Sequence, residues 1–258
     1  MLRLLLRALL IFAMATHAAL AQPVTMDSFI AGYYRSPDPA EAIDRLATLD
    51  LDSYLPTDDA ARREHGIVLL STFYAHVLHE APDAASRLIG RTIATEDPEK
   101  ALVAAIAIAR SGIAGSAVAL DRLAGAGLLP DGVWEGIRAM QPYPFPAMEP
   151  RTHPELDVMW MSFFATGDAL YVERVAGRLG ALEETELAEG EVTAGPGESR
   201  LIDAVTAVGA YWSLEANARQ DDRVLSILRR IAEERSDKVG RIAGVIAEEV
   251  GEEISADP

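Results

Sequence analysis

Leu156, Met159, Trp160, Phe163 and Phe164 recur at the i, i+3, i+4, i+7 and i+8 spacing of one helical face. The helix they define has clear ends. Pro154 suits its first turn, where no helical N–H is lost, and Asp157 places a negative charge near the N-terminal end of the dipole. Gly167 is the natural left-handed stop, and Asp168 is positioned to cap a second helix. Leu170, Val172, Val175 and Leu179 continue an apolar face, with Glu173, Arg174 and Arg178 left outside. A connection this short predicts two helices lying antiparallel or steeply crossed. Such a hairpin has to be buried, and the rest of the chain offers helices to bury it. Half of the residues are hydrophobic and only 6% are aromatic. Alanine is abundant and long alternating β-branched runs are scarce, which favours helix over sheet. The fold class expected is all-α: antiparallel helix pairs in a degenerate α-solenoid-like or orthogonal helical array.

The same signals recur along the chain. Thr25 to Tyr34 reads as a short helix. Asp38 or Pro39 opens a second, carrying Ile43, Leu46 and Leu49, and Leu51 to Pro56 breaks it. Thr57 or Asp58 is expected to cap a long helix reaching about Glu80, and Pro82 with Asp83 starts another to about Ala94. Asp97, Pro98 and Glu99 supply a cap, a first-turn proline and an acid for the next. Its run from Ala101 to Ala109 is apolar nearly all round and is expected to be the most buried stretch. Ser111 and Gly112 stop it, Ala114 to Ala124 forms its partner, and Gly125, Gly127 and Pro130 end that unit. Toward the C-terminus, helices are expected over Arg200 to Ala218, from Asp221 or Asp222 through Ile231, and from Asp237 to Val250, with Glu252 to Pro258 fraying.

A weak repeat runs through these helices. Ile43–Ala47, Leu120–Ala124, Val172–Ala176 and Leu228–Ala232 each place two apolar residues three apart around a charged pair. Helix pairs at roughly 35–55 residue spacing suit an α-solenoid-like array. Two stretches interrupt it. Gln141 to Pro154 holds five of the 14 prolines and alternates Tyr143 and Phe145 with them. It reads as an extended, largely polyproline-like connector. Glu183 to Glu198 is acidic and glycine-rich and reads as an exposed loop. The organisation expected is therefore a leader over 1–21, an N-terminal array over 22–140, the connector over 141–154 and a C-terminal array over 155–258, the two arrays packed as one unit.

The leader has the anatomy of a secretory signal peptide: Arg3 and Arg7, an apolar stretch from Ala8 to Ala15, and Ala19 and Ala21 flanking Leu20 before Gln22. A periplasmic or secreted location is expected. No later stretch is long and apolar enough to span a bilayer. The net charge of −17 becomes −19 once the two leader arginines are removed. That balance argues against nucleic acid as a partner, because phosphate binding needs a basic surface. There is no cysteine, so in an oxidising compartment the core must hold the fold without disulfides. The stretch from Asp157 to Asp168, with Tyr211, Trp212, Leu214 and Asn217 downstream, resembles an uncharacterised family of secreted bacterial helical proteins. The resemblance covers roughly residues 154–232 and implies an all-helical fold and export. It implies no activity.

Nucleophile elbows, Walker loops and paired-histidine zinc motifs are absent from the sequence, as is any motif that calls for a cofactor. Two groups of residues remain as candidates. His76, with His79 or Glu80, shares a helical face at i, i+3 and i+4. Such a set could bind a divalent metal if a third ligand arrived from elsewhere, and otherwise places histidines at the favourable C-terminal end of a dipole. His65 lies about 16 Å away along the same helix and cannot join them within it. Tyr143 and Phe145 in the connector, with Trp134 upstream, are the aromatic candidates for binding a protein or peptide partner. A docking ridge would leave Tyr143 and Phe145 exposed, whereas a packed spacer buries them, and burial is the expectation. The function expected is an exported protein- or peptide-binding or scaffold module of the cell envelope. The alternative is a metal-dependent hydrolase built on His76, His79 and Glu80.

Overall fold

A computed structural model describes residues 25–143, 145–182 and 198–256, with the side chains of residues 146 and 198–201 outside the description. The leader, nearly all of the acidic loop and the last two residues also lie outside the described residues. The fold is all-α, with thirteen α-helices and no strand among the described residues. The first eight are α1 Met26–Gly32, α2 Pro39–Thr48, α3 Leu51–Tyr54, α4 Ala60–Glu80, α5 Ala85–Thr95, α6 Pro98–Ser111, α7 Ser116–Ala124 and α8 Asp131–Arg138. The last five are α9 His153–Thr166, α10 Ala169–Gly177, α11 Glu198–Gln220, α12 Asp222–Glu234 and α13 Lys238–Ala256.

Capping chemistry sets most of these boundaries. Asp38 accepts from the Ala40 and Glu41 amides at 2.9 and 3.0 Å, and Asp97 accepts from Glu99 and Lys100 at 2.9 and 3.2 Å. Thr152 and Glu155 form a capping box at the start of α9. Asp168 accepts from the Leu170 amide at 2.9 Å. The long helix α4 is capped by Asp59, one residue beyond the expected Asp58. Leu51–Tyr54 is not a plain break: Asp50 caps a single helical turn there. Helix α8 lies where no element was expected, because Gly132 and Gly136 dilute its pattern. It forms because Trp134 and Ile137, one turn apart, both reach the core.

Two hydrophobic clusters make up the interior. The N-terminal one is built from α1 to α8, with Tyr33, Phe73, Tyr74, Leu78, Ile108 and Leu123 at its centre. The C-terminal one is built from α9 to α13, with Trp160, Phe163, Val172, Leu228 and Ile246. Each such side chain, once buried, contributes roughly 1.5–3 kcal/mol. Helices α4 and α9 belong to both clusters. Ala75 of α4 sits in the C-terminal cluster, while Ala165 of α9 sits in the N-terminal one, with Met161 and Phe164 packed against it. Helix α9 is therefore buried on more than the one expected stripe. Val158, Ser162 and Ala165 are buried as well, because the helix is covered from both sides.

The seam between the clusters is closely fitted. Gly167 has φ 68°, and a Cβ there would lie 2.6 Å from the ring of Tyr34. Glycine is thus required twice, by the left-handed backbone and by the approach of the ring. Tyr34 donates its hydroxyl to Asp221 at 2.9 Å, and Arg35 pairs with the same carboxylate at 3.1 Å. Asp221 also caps α12 through the Arg223 amide at 2.9 Å. The four repeat segments keep their apolar pairs inside: Ile43 with Leu46, Leu120 with Leu123, Val172 with Val175, and Leu228 with Ile231 are all buried. The acids of the first three take arginines from other helices: Asp44 takes Arg87 and Arg91, Asp121 takes Arg138, and Glu173 takes Arg230 of the fourth segment.

Candidate functional site

The C-terminal turn of α4 ends on the seam. It presents His76, His79 and Glu80 to a cleft of about 790 Å³. The junction of α9 and α10 forms a second wall with Thr166, Asp168 and Tyr171, and the connector forms a third with Tyr143 and Phe145. Tyr33, Pro37 and Pro39 close the N-terminal side. Segments from four parts of the chain thus meet at one opening.

The connector is held over the cleft by α6. The Tyr143 amide donates to the Arg110 carbonyl at 3.0 Å, and Arg110 returns a bond from Nη1 to the Gln141 carbonyl at 2.7 Å. The same guanidinium lies 4.7 Å from the centre of the Tyr143 ring. Further along, Glu149 pairs with Arg174 of α10. The connector is not wholly extended, because Phe145–Ala147 makes one 3-10 turn. That turn sends Phe145 inward, where it is buried, whereas Tyr143 is half-buried.

Phe145 lies on His76, with ring centres 3.7 Å apart and planes at 34°. Tyr171 meets His76 edge-on at 5.5 Å. His76 is 2% exposed and its Nε2 has no hydrogen-bond partner. Burial, and then the neighbouring His79, push its pKa down to about 3, so the imidazole is neutral at ordinary pH. His79 is fixed differently. Its Nδ1 lies 2.9 Å from the Ser111 carbonyl, which only accepts, so the proton sits on Nδ1 and Nε2 is left for other contacts. Tyr171 is held protonated, chiefly by burial and then by the carboxylates of Asp168 and Glu80. Tyr33 is pushed up to about 12 by burial and by Asp38. The cleft therefore combines aromatic walls, neutral hydroxyls, the neutral imidazole of His76, and two carboxylates. None of the side chains that line it is a lysine or an arginine.

His76, His79, Glu80, Tyr143 and Phe145 all come together here. Trp134 does not. It is buried in the N-terminal cluster on α8, with Arg138 5.9 Å from its ring. Among the described residues no three histidine or acidic side chains are grouped so as to hold a metal ion. His76 is covered by Phe145, and one nitrogen of His79 is occupied by Ser111. His65, further back along α4, pairs instead with Asp157 of α9 at 2.8 Å. Sequence reasoning did not single out Tyr33, Asp168 or Tyr171 as cleft residues. Asp168 reads as a cap and Tyr33 as core, and both are those things too. No spacing links any of them to α4.

Two other surface features are chemically plainer. A shallow groove of about 680 Å³ runs along α12 and α13 past Arg229, Gly244 and Gly251. An apolar stripe on α11 carries Ile202, Val205 and Trp212, the last 66% exposed. Neither holds a buried polar group without a partner. Compared with family models, with curated proteins and with solved structures, the chain matches none.

Proposed function

We propose that the chain is a binding module of the cell envelope that takes a segment of a protein or peptide into the cleft between its two helical clusters. The observation that carries this reading is the composition of the cleft. Its walls are aromatic and its polar groups few and convergent, and the buried Nε2 of His76 waits at its base without a partner. An unpaired buried nitrogen costs about 1–3 kcal/mol, a cost that a ligand bond removes. The leader pattern supports export, and the acidic surface suits a soluble partner-binder.

The metal-dependent hydrolase built on His76, His79 and Glu80 is the weaker reading, because among the described residues no three histidine or acidic side chains, these included, are grouped so as to hold a metal ion. The binding reading is tested by selecting displayed random peptides on purified protein spanning residues 22–258. Enriched peptides should bind the parent and fail to bind Ala81→Trp, which places a large ring at the rim of the cleft. No enrichment, or equal binding to both proteins, would overturn it.

A further inference from the structure

The acidic side chains that line the cleft are Glu80 and Asp168, and none of the side chains that line it is a lysine or an arginine. Glu80 ends α4 and Asp168 opens α10, and both line the same cleft as Tyr171, whose hydroxyl is held protonated chiefly by burial and then by these two carboxylates. Asp168 uses Oδ1 to cap α10, and Oδ2 makes no hydrogen bond in the cap. Arg110 lies against Tyr143 and is engaged with the Gln141 carbonyl. The other surfaces are π-faces and edges: Phe145, Tyr171 and Tyr143, with Tyr33 opposite. Below them lies the imidazole of His76, 2% exposed, with Nε2 unpartnered.

Each of these groups favours the same kind of guest. Glu80 and Asp168 are exposed where they line the cleft, and two negative charges there attract a cation. Aromatic faces attract a cation through the ring quadrupole when it sits within about 6 Å. A neutral imidazole nitrogen without a partner can accept an N–H. A simple metal ion would find too few ligands, and an anion would meet two carboxylates. Resting on the cleft-binding reading above, we propose that the group bound in the cleft is an organic cation, a guanidinium or alkylammonium, held between Glu80 and Asp168 against the rings of Phe145, Tyr143 and Tyr171. The cation has two possible sources, an arginine or lysine side chain of a peptide, or a free amine.

The test is a calorimetric titration of purified protein spanning residues 22–258 with acetyl-arginine amide, its uncharged isostere acetyl-citrulline amide, and methylammonium chloride. The arginine compound should bind at least tenfold tighter than the citrulline compound. The double variant Glu80→Gln with Asp168→Asn should erase that preference. Asparagine still caps a helix, so the fold is retained. A second double variant, Glu248→Gln with Glu249→Gln, removes the same charge on α13 and should leave the preference intact. Tighter binding of methylammonium than of the arginine compound would assign the cation to a free amine. Equal affinity for arginine and citrulline would overturn the cationic ligand while leaving the cleft-binding reading standing. A loss of preference in both double variants would also overturn it, by reducing the effect to overall charge. No binding of any charged probe at millimolar concentration would end the cation proposal, and the peptide selection would then decide the cleft reading by itself.

Discussion

His76→Leu separates the role of the buried imidazole from every other titrating group. In the unfolded chain the histidine has its ordinary pKa of 6.5, and in the native chain burial lowers it to about 3. As pH falls, the unfolded state therefore takes up this proton first. The stability that follows from keeping the ring neutral is fully present above pH 6.5 and is lost as pH falls toward and through the native value. The loss amounts to about 2 kcal/mol by pH 5 and to order 4 kcal/mol near pH 3. Leucine has a similar volume and no proton to bind, so this part of the pH dependence disappears in the variant. The carboxylates titrate alike in both proteins and cancel in the comparison. At pH 7 leucine also removes an unpaired buried nitrogen, worth about 1–3 kcal/mol, against a ring contact worth about 0.5–1.5 kcal/mol. The variant should therefore be at least as stable as the parent there. Urea unfolding followed by circular dichroism at pH 7, 6 and 5 gives the answer. Guanidinium is avoided because it is itself a candidate ligand of the cleft. Two proteins losing stability in parallel between pH 7 and 5 would refute the reasoning, since His76 would then be protonated in the folded chain.

Three further perturbations probe the frame around the cleft. Trp160→Ala empties a buried ring that packs on Phe163 and Phe164 and should cost about 3–5 kcal/mol in urea unfolding. A loss below a third of that would mean the ring is free to serve as a contact. Tyr34→Phe removes the hydroxyl bonded to Asp221 across the seam; it should cost about 1.5–3 kcal/mol, the range for a bond to a charged group. The parent's stability in the phenylalanine protein would show that Arg35 alone holds that carboxylate. Changing both Tyr143 and Phe145 to serine should lower the melting temperature by several degrees, because Phe145 is buried against His76. An unchanged melting temperature would identify the connector as a loosely attached strand.

Local chemistry was the most legible part of the sequence. Asp38, Asp97, Asp168 and Asp221 cap the helices that their positions predict, and Gly112 and Gly167 stop helices in the left-handed region. Those signals act within a few residues and need no tertiary information. The run Ala101–Ala109 is buried at most of its positions, as a helix apolar all round must be. Its neighbour Lys100 is buried too, which the sequence did not suggest. Its ammonium is accommodated because it reaches the Ala47 carbonyl at 3.0 Å. Periodicity failed at α9 for a related reason. A stripe counts the residues that face one partner, and α9 has a partner on each side. Val158 and Ala165 are weak members of any stripe, and only the packing of two clusters around one helix explains their burial.

The cleft was legible only in pieces. His76, His79 and Glu80 stood out as a possible metal set, and Tyr143 and Phe145 as a possible docking ridge, for unrelated reasons and as rival functions. The fold makes them parts of one surface. The chain leaves α8 in the N-terminal cluster and must reach the start of α9 on the seam. Prolines keep it from forming another helix on the way, and Arg110 ties it down at the end of α6. The path therefore crosses the last turn of α4, and Phe145 descends onto His76. Once the ring lies there, the docking ridge loses one of its aromatics to burial, while the metal reading fails separately, since no three histidine or acidic side chains among the described residues are grouped to hold an ion. What replaces both is a concave site to which each contributes a wall. The third wall comes from Asp168 and Tyr171, whose positions follow from the hairpin turn at Gly167. That turn is tight because the ring of Tyr34 leaves no room for a side chain. The residue that closes the central hairpin thus also helps to place the wall formed by Asp168 and Tyr171, so a bulkier residue at Gly167 should lower stability in urea unfolding and weaken peptide binding in the proposed cleft site.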